Sequence, residues 1–284
     1  MKTYEDFKHD LLRELILQGN MTDLTYKDEH LYLSSENVAI KQGVDEAYKI
    51  YSTGTDFDEI VGFYLNTIKK IPCLQTVREI LSSPQQTKEH LIVKLMNIND
   101  IYDYALYKTI GDIAMVAYLH INSDDESQLF VRAAEGILEY FDNDKDALFE
   151  LALKNTARLF PDRVINFFNV LFSLNSNTSV FTINYEPNLT QEGNILTNSI
   201  KQNGAVAIFY PGVAERFADL FNSGFYVAFT SKHEAMVHYE HSTNVHALKT
   251  TIKNMKRDGI IPEEDFLTES ILYYDRLTRE FLTL

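Results

Sequence analysis

The sequence has a single cysteine, no tryptophan and few residues that break regular structure. Cys73 has no partner in the chain, so an internal disulfide framework is excluded and a cytoplasmic location is expected. With 6 prolines and 11 glycines in 284 residues, collagen-like and low-complexity architectures are excluded. No apolar run approaches the roughly 20 residues that a membrane-spanning helix needs. Residues 1–6 lack the apolar core of a signal peptide, and their acidic side chains disfavour a transit peptide.

Basic charge is also scarce. The chain has 26 lysines and arginines against 41 aspartates and glutamates, a net charge of −15. This balance disfavours binding to phosphate-rich surfaces, so we expect neither a direct nucleic-acid partner nor a membrane partner. Residues 1–60 carry 6 basic and 13 acidic groups, a net of −7, and residues 121–160 carry 4 and 9, a net of −5. These acidic zones are interpreted as solvated helix faces and loops, with an acidic docking surface as the alternative.

Helical and strand-like patterns are interleaved in the first half of the chain. Apolar residues at helical spacing predict an amphipathic helix over 3–18, and residues 31–40 alternate as in a hairpin that turns at 35–37. The run 113–121 is almost wholly apolar and predicts a central strand buried on both faces. The predicted fold class is mixed α/β or α+β, with interleaved helices, short strands and mixed sheets.

The second half of the chain predicts further elements and a boundary. Pro161 stands at the first position of a predicted helix that runs to about residue 174. Loop-like residues over 175–194 divide the chain into an acidic α/β region, 1–175, and a second α/β region, 195–284, unless the two form one continuous domain. The other predictions are helices over 44–51, 57–71, 144–160, 211–222 and 243–257, and strands over 90–98, 128–133, 180–185, 204–210, 224–230, 234–240 and 268–274.

Several separated blocks of the chain resemble a known family. These blocks are Tyr4-Glu5-Asp6-Phe7-Lys8, Tyr51-Ser52-Thr53-Gly54, Asp58-Glu59-Ile60, Lys94-Leu95-Met96-Asn97, Gly111-Asp112-Ile113-Ala114, Leu151-Ala152, Asn155-Thr156, Leu159-Phe160-Pro161, Leu196-Thr197-Asn198, Gly204-Ala205, Tyr210-Pro211-Gly212-Val213, Phe225-Tyr226-Val227, Ser231-Lys232-His233-Glu234, Leu267-Thr268-Glu269-Ser270 and Tyr273-Tyr274-Asp275-Arg276. In this order they resemble the uncharacterised bacterial family DUF5688, found mostly in Firmicutes, over nearly the whole chain. The resemblance implies a layout and carries no activity.

The chain departs from that family in two places. The family usually reads Pro-Ser-Ser-Ile-His-Glu where this chain has Phe-Thr-Ser-Lys-His-Glu over 229–234. The segment 177–194 also resembles the family less clearly.

A serine, a histidine and a glutamate close together form the strongest catalytic candidate. Ser231 and His233 share a strand face, and Glu234 follows directly, as a nucleophile, its base and an orienting group would require. Residues two apart in an extended strand lie about 6–7 Å apart, which is too far for a direct hydrogen bond. The sequence also has no Gly-x-Ser-x-Gly elbow. The alternative is a polar turn at the strand end.

Neighbouring histidines raise the question of a metal site. His233, His238 and His241 are candidate ligands, because zinc accepts imidazole and carboxylate groups. Their spacing matches no complete helix-borne pair, so we expect a solvated polar edge and no metal or other cofactor.

Polar and glycine residues of the resembling blocks suggest a ligand site. Free N–H groups at the start of the predicted helix over 211–222 could hold an anion. The alternative is that Pro211 only initiates that helix. The candidate ligand-binding residues are Asn155, Thr156, Asn198, Tyr210, Gly212, Ser231 and His233.

The sequence therefore favours a binding protein over an enzyme. The first hypothesis is a cytoplasmic bacterial or phage protein that binds a protein partner or a small ligand without conventional catalysis. The second is a hydrolase that uses Ser231, His233 and Glu234. The third is an acidic inhibitor of a nucleic-acid-binding protein, which predicts one negative face built from residues 1–60 and 124–150.

Overall fold

A computed structural model describes most of the chain and divides it into two units. The described residues are 2–19, 24–27, 30–35, 38–69, 73–101, 105–122, 128–165 and 178–284. The first unit comprises residues 1–90 and 119–143, and the second comprises residues 91–118 and 144–284. The predicted boundary at 175–194 therefore lies inside the second unit.

The first unit contains five α-helices among its described residues. They are α1 Tyr4–Gly19, α2 Val44–Ser52, α3 Phe57–Lys69, α4 Cys73–Leu81 and α5 Pro84–His90. The predicted amphipathic helix is confirmed, because Phe7, Leu11 and Leu15 of α1 are fully buried against α2 and α3. Strands β1 Leu24–Lys27, β2 His30–Ser35 and β3 Val38–Gly43 form an antiparallel sheet, and β2–β3 is the predicted hairpin.

A four-stranded sheet surrounds the long apolar strand. Its strands are β4 Leu91–Asn97, β5 Tyr107–Ile110, β6 Ile113–Asn122 and β7 Gln128–Arg132. Its order is β4-β6-β5, and β7 also pairs with β6. Residues 113–121 of β6 are buried except for the half-buried Tyr118, so the predicted central strand is confirmed.

The second unit is built on a six-stranded sheet with the order β13-β12-β10-β11-β9-β8. The strands are β8 Asp162–Ile165, β9 Asn194–Asn198, β10 Phe225–Ser231, β11 Glu234–Tyr239, β12 Leu272–Asp275 and β13 Glu280–Thr283. The neighbouring strands whose register is described run antiparallel. The helices are α6 Lys145–Leu159, α7 Val213–Phe221 and α8 Val245–Arg257. The mixed α/β class is confirmed.

The central strand β10 is covered on both faces. Side chains at successive positions of a strand point to opposite faces. Phe225 packs against Phe217 and Phe221 of α7, at ring distances of 5.9 and 6.0 Å. Ala228, on the other face, belongs to a cluster with Ile252 of α8. The fold therefore places α7 and α8 on opposite faces of the sheet.

Three predicted elements in the second unit are wrong. Pro161 precedes strand β8 and not a helix, because buried Asp162 accepts hydrogen bonds from Ser179 Oγ at 2.8 Å and from Val180 N at 2.9 Å. Residues 180–185 form turns and not a strand. Residues 204–210 form a 3₁₀ helix, Gly204–Phe209, although their apolar side chains are buried as in a strand. Residues 166–174 of the predicted helix lie outside the described residues.

The single negative face expected of an acidic inhibitor of a nucleic-acid-binding protein stays a prediction. Residues 1–60 belong to the first unit, whereas residues 124–150 are divided between both units. Residues 123–127 lie outside the described residues.

The 3₁₀ helix approaches β9 so closely that its first residue must be glycine. A β-carbon on Gly204 would stand 2.2 Å from Thr197 Oγ1 and 2.7 Å from both Asn198 N and His233 O. Two of these three atoms belong to the backbone, so they can move aside only if the strands move.

We predict that Gly204→Ala destabilises the protein by about 1–3 kcal/mol, because the new methyl group overpacks this contact. Urea unfolding at equilibrium measures the change. Gly62→Ala is the matched control, since nothing lies within 4 Å of its β-carbon. A helix-interior glycine replaced by alanine should raise stability by about 0.5–1 kcal/mol. Equal stability of Gly204→Ala and the native chain would contradict the prediction.

Candidate functional site

Ser231, the last residue of β10, and the two turn residues Lys232 and His233 lead from β10 into β11, and are here called the polar turn. The register of the two strands shifts between Phe229 and Ser231, which is typical of a β-bulge. The Ser231 hydroxyl oxygen accepts a hydrogen bond from the backbone N–H of His233 at 3.0 Å. The backbone N–H of Lys232 donates to the carbonyl of Asp265 at 2.8 Å. The serine therefore stabilises the turn.

Both ring nitrogens of His233 are engaged. Nδ1 accepts a hydrogen bond from the backbone N–H of Asn203 at 3.1 Å, so the proton of a neutral ring lies on Nε2. Nε2 stands 3.1 Å from Asp265 Oδ1 and donates to it. Glu234 accepts a hydrogen bond from the Thr230 hydroxyl at 3.0 Å. This arrangement places no base on the Ser231 hydroxyl and does not favour the hydrolase hypothesis.

Asp265 holds the polar turn from the opposite side. Its carboxylate pairs with Lys232 Nζ at 2.8 Å as well as with His233. The hydrogen bond from Lys232 is the main cause that lowers the pKa of Asp265. Lys232 Nζ also donates to the carbonyl of Glu264 at 2.8 Å. The sequence analysis did not single out Asp265, which lies 32 residues from His233.

The positive charge of Lys232 in the polar turn acts on the pKa of Lys94, a residue of β4. The Lys94 ammonium lies 5.0 Å from the centre of the Tyr118 ring. Burial lowers the pKa of Lys94 to about 7, and the positive charge of Lys232 lowers it further in the same direction. Both effects disfavour the charged form of Lys94.

Two predicted ligand-binding residues, Asn155 and Thr156, join α6 to β4. The Asn155 amide donates to the carbonyl of Leu91 at 3.0 Å. The Thr156 hydroxyl accepts from the N–H of Val93 at 2.9 Å and donates to the carbonyl of Ala152 at 2.6 Å. Both side chains are buried, so these contacts satisfy polar groups inside the unit.

The candidates Asn198, Tyr210 and Gly212 also have structural contacts. The Asn198 amide donates to the carbonyl of Gln202 at 2.9 Å. The Tyr210 hydroxyl donates to the carbonyl of Phe160 at 3.1 Å, and burial raises the pKa of Tyr210. Gly212 has φ +81°, a left-handed conformation that lets the chain enter α7. None of these geometries by itself marks a ligand site.

The three candidate metal ligands lie in different surroundings. His233 bonds Asp265, His238 is buried in β11, and the His241 ring meets the edge of Tyr239 at 5.2 Å. Across the described ranges of the chain, no group of three or more His, Cys, Asp or Glu side chains is placed to hold a metal ion. Nor does any helix in those ranges have the length and apolar character to cross a membrane.

A groove of about 380 Å³ lies between α8 and the strands β10 and β11, and is here called the α8 groove. Ala228 and Met236 form its floor, and these residues stand opposite each other in the sheet. Leu248, Ile252 and Met255 of α8 form its apolar wall. The small side chain of Ala228 leaves space under the helix that a larger residue would fill.

His238 is the buried residue among the polar residues that line the α8 groove. Its side chain is 4% exposed, and Nδ1 lies 3.2 Å from the carbonyl of Gln191, to which it donates. Gly193 permits this approach, because a β-carbon there would stand 2.7 Å from His238 Nδ1. Burial lowers the pKa of His238 and so favours the neutral ring. Nε2 is buried and, among the described residues, has no hydrogen-bond partner.

The α8 groove was missed by sequence reasoning, although both of its walls were predicted. Residues 234–240 and 243–257 were correctly expected to be a strand and a helix. One sequence signal could have indicated the groove. Met236 and His238 alternate on one face of β11, and the small residue Ala228 stands opposite Met236 in β10. A buried histidine beside a small residue indicates a cavity only once the strand register is known.

We predict that Lys94→Met raises the melting temperature at pH 6, because it removes a charge that burial disfavours. Between pH 7 and 10 the native chain should gain stability, since folded Lys94 has released its proton while the unfolded chain still holds it. The advantage of the variant should therefore shrink over this range. Exposed Lys253→Met on α8 serves as the control. A pH-independent difference for Lys94→Met would contradict the prediction.

Comparison with known proteins agrees with the resemblance of the sequence blocks. No curated protein and no solved structure matches the chain significantly. The profile of one family matches residues 21–276, a span that includes the polar turn, the α8 groove and Lys94. The chain therefore belongs to the family of unknown function DUF5688.

Proposed function

We propose that this protein binds a small, largely apolar molecule in the α8 groove, and that the molecule donates a hydrogen bond to His238. The observation that carries the proposal is the buried Nε2 atom of His238, which has no partner in the described chain and belongs to a residue that lines the groove. The function is binding, and it requires no catalytic group.

The size and lining of the groove support a small ligand. Small-molecule sites commonly enclose about 300–1,000 Å³ and combine apolar walls with a few placed polar groups. The α8 groove has about 380 Å³. Its floor and wall are aliphatic and thioether side chains, and its polar lining residues are His238, Gln191, Glu192, Thr230, Thr243, Asn244 and Thr251. This matches a compact ring or short aliphatic molecule.

The state of His238 defines the polar part of the ligand. In the neutral ring that burial favours, Nδ1 donates to Gln191, so Nε2 can only accept a hydrogen bond. A buried acceptor without a partner costs about 1–3 kcal/mol, which a donor on the ligand would recover. Hydroxyl and N–H groups satisfy this requirement, whereas carboxylates and carbonyls do not.

Phenol and toluene form a matched pair of probes for the groove. They share an apolar ring, but only phenol has a donor. We predict that phenol shifts the Nε2 resonance of His238 saturably in histidine-detected NMR, and that toluene binds the same groove more weakly. The difference should be about 3- to 10-fold, the usual worth of one hydrogen bond.

Variants separate the hydrogen bond from the apolar contact. His238→Met should remove the preference for phenol while retaining toluene binding, and exposed His246→Gln on α8 should leave both unchanged. Ala247→Trp, at an exposed position of the groove wall, should block both probes. If phenol retains its advantage over toluene in His238→Met, or if neither probe binds the native chain, the proposal is wrong.

A further inference from the structure

The first unit has a second groove, independent of the α8 groove. It lies between the neighbouring helices α2 and α3, encloses about 430 Å³, and is here called the α2–α3 groove. Its floor is apolar and buried, and is formed by Ala47, Ile60 and Tyr64. The Tyr64 hydroxyl donates to the carbonyl of Gly43 at 2.8 Å, which ties α3 to the start of α2.

Two large apolar side chains line the α2–α3 groove and face solvent. Ile50 of α2 is 53% exposed and Phe63 of α3 is 64% exposed. Single exposed apolar residues are ordinary, but two beside one apolar groove are typical of an interaction surface. Covering these side chains would remove apolar area from water at no cost to the packing beneath them.

Each of the two helices contributes one acidic side chain to the α2–α3 groove. Glu46 lies in the first turn of α2 and Glu59 in the first turn of α3, and both line the groove. Burial raises the pKa of Tyr64 to about 12, and the negative charges of Glu46 and Asp45 add to this effect. The apolar floor therefore lies in a negative field, and two of its three residues, Ala47 and Ile60, belong to the segment 1–60 that carries a net charge of −7.

We propose that the α2–α3 groove docks a basic amphipathic segment of a protein partner. Apolar side chains of that segment cover Ile50 and Phe63, while lysine or arginine side chains meet Glu46 and Glu59. Charge complementarity selects this occupant, because an apolar molecule without charge would desolvate the carboxylates without pairing them. An acidic segment would be repelled by the same groups.

The helix geometry suggests the spacing of the basic residues. At a rise of 1.5 Å per residue, Glu46 lies about 6 Å along α2 from Ile50, and Glu59 lies about 6 Å along α3 from Phe63. Basic residues one helical turn to either side of an apolar anchor would reach these carboxylates. The partner segment is therefore a short helix with its apolar residues between basic ones.

A synthetic amphipathic helix of leucine and lysine tests the proposal with the full chain, by fluorescence titration at physiological salt. We expect saturable binding of this peptide, and none of a peptide with glutamate in place of lysine. Ile50→Ser/Phe63→Ser should weaken binding at least tenfold, and Glu46→Gln/Glu59→Gln about threefold or more. All four side chains are exposed, so thermal melting should show that these variants remain folded.

Matched controls distinguish a specific groove from general attraction to an acidic protein. Leu17 is 65% exposed on α1, and Glu135 and Glu139 are exposed acidic residues of the same unit. Leu17→Ser and Glu135→Gln/Glu139→Gln should change the affinity less than twofold. Equal losses in test and control variants would overturn the proposal. So would a dimer of the chain that only Ile50→Ser/Phe63→Ser dissociates, which would assign the groove to a second copy.

Discussion

The close approach of the 3₁₀ helix to β9 and to the polar turn is the contact on which the second unit depends. Gly204 leaves no space for a β-carbon, so the helix backbone lies directly against the strand. At this distance Asn203 N–H reaches the His233 ring, and Ala205 N–H reaches the carbonyl of Lys232 at 3.3 Å. These bonds hold the turn that sets the start of β11. The register of β11 then determines which side chains lie under α8.

Two histidines at the start and in the middle of the same strand region have different roles because of this register. His233 lies in a turn, where the backbone N–H of Asn203 and the carboxylate of Asp265 form hydrogen bonds with its two ring nitrogens. His238 lies five positions later on the covered face of β11, where one nitrogen meets Gln191 and the other meets no described group. A satisfied imidazole stabilises the fold, whereas a buried acceptor without a partner suits a ligand. The resemblance to the family pointed to the first histidine, and the cavity points to the second.

The predictions that succeeded were those in which one local pattern decides the structure. The amphipathic α1 and the apolar β6 are examples, because burial of one stripe or of both faces follows directly from residue spacing. The strand prediction over 204–210 was wrong because a buried apolar run is compatible with a strand and with a 3₁₀ helix. The helix prediction from Pro161 was wrong because a proline can stand at the start of a helix or of a strand. The hydrogen bonds that decide it come from residues 179 and 180 to the side chain of Asp162.

The sequence by itself determined the composition-level properties: a strongly acidic chain, the mixed α/β class, most helices and the family. These depend on residue counts, local periodicity and ordered blocks. Only the tertiary structure decided which polar residues meet. In the folded chain Asp265 contacts His233, and the small Ala228 leaves a cavity beside His238. Glu46 and Glu59 line one apolar groove. Such pairings join residues that lie on different strands and helices. They escape a sequence because strand register and helix packing are set by the whole core at once.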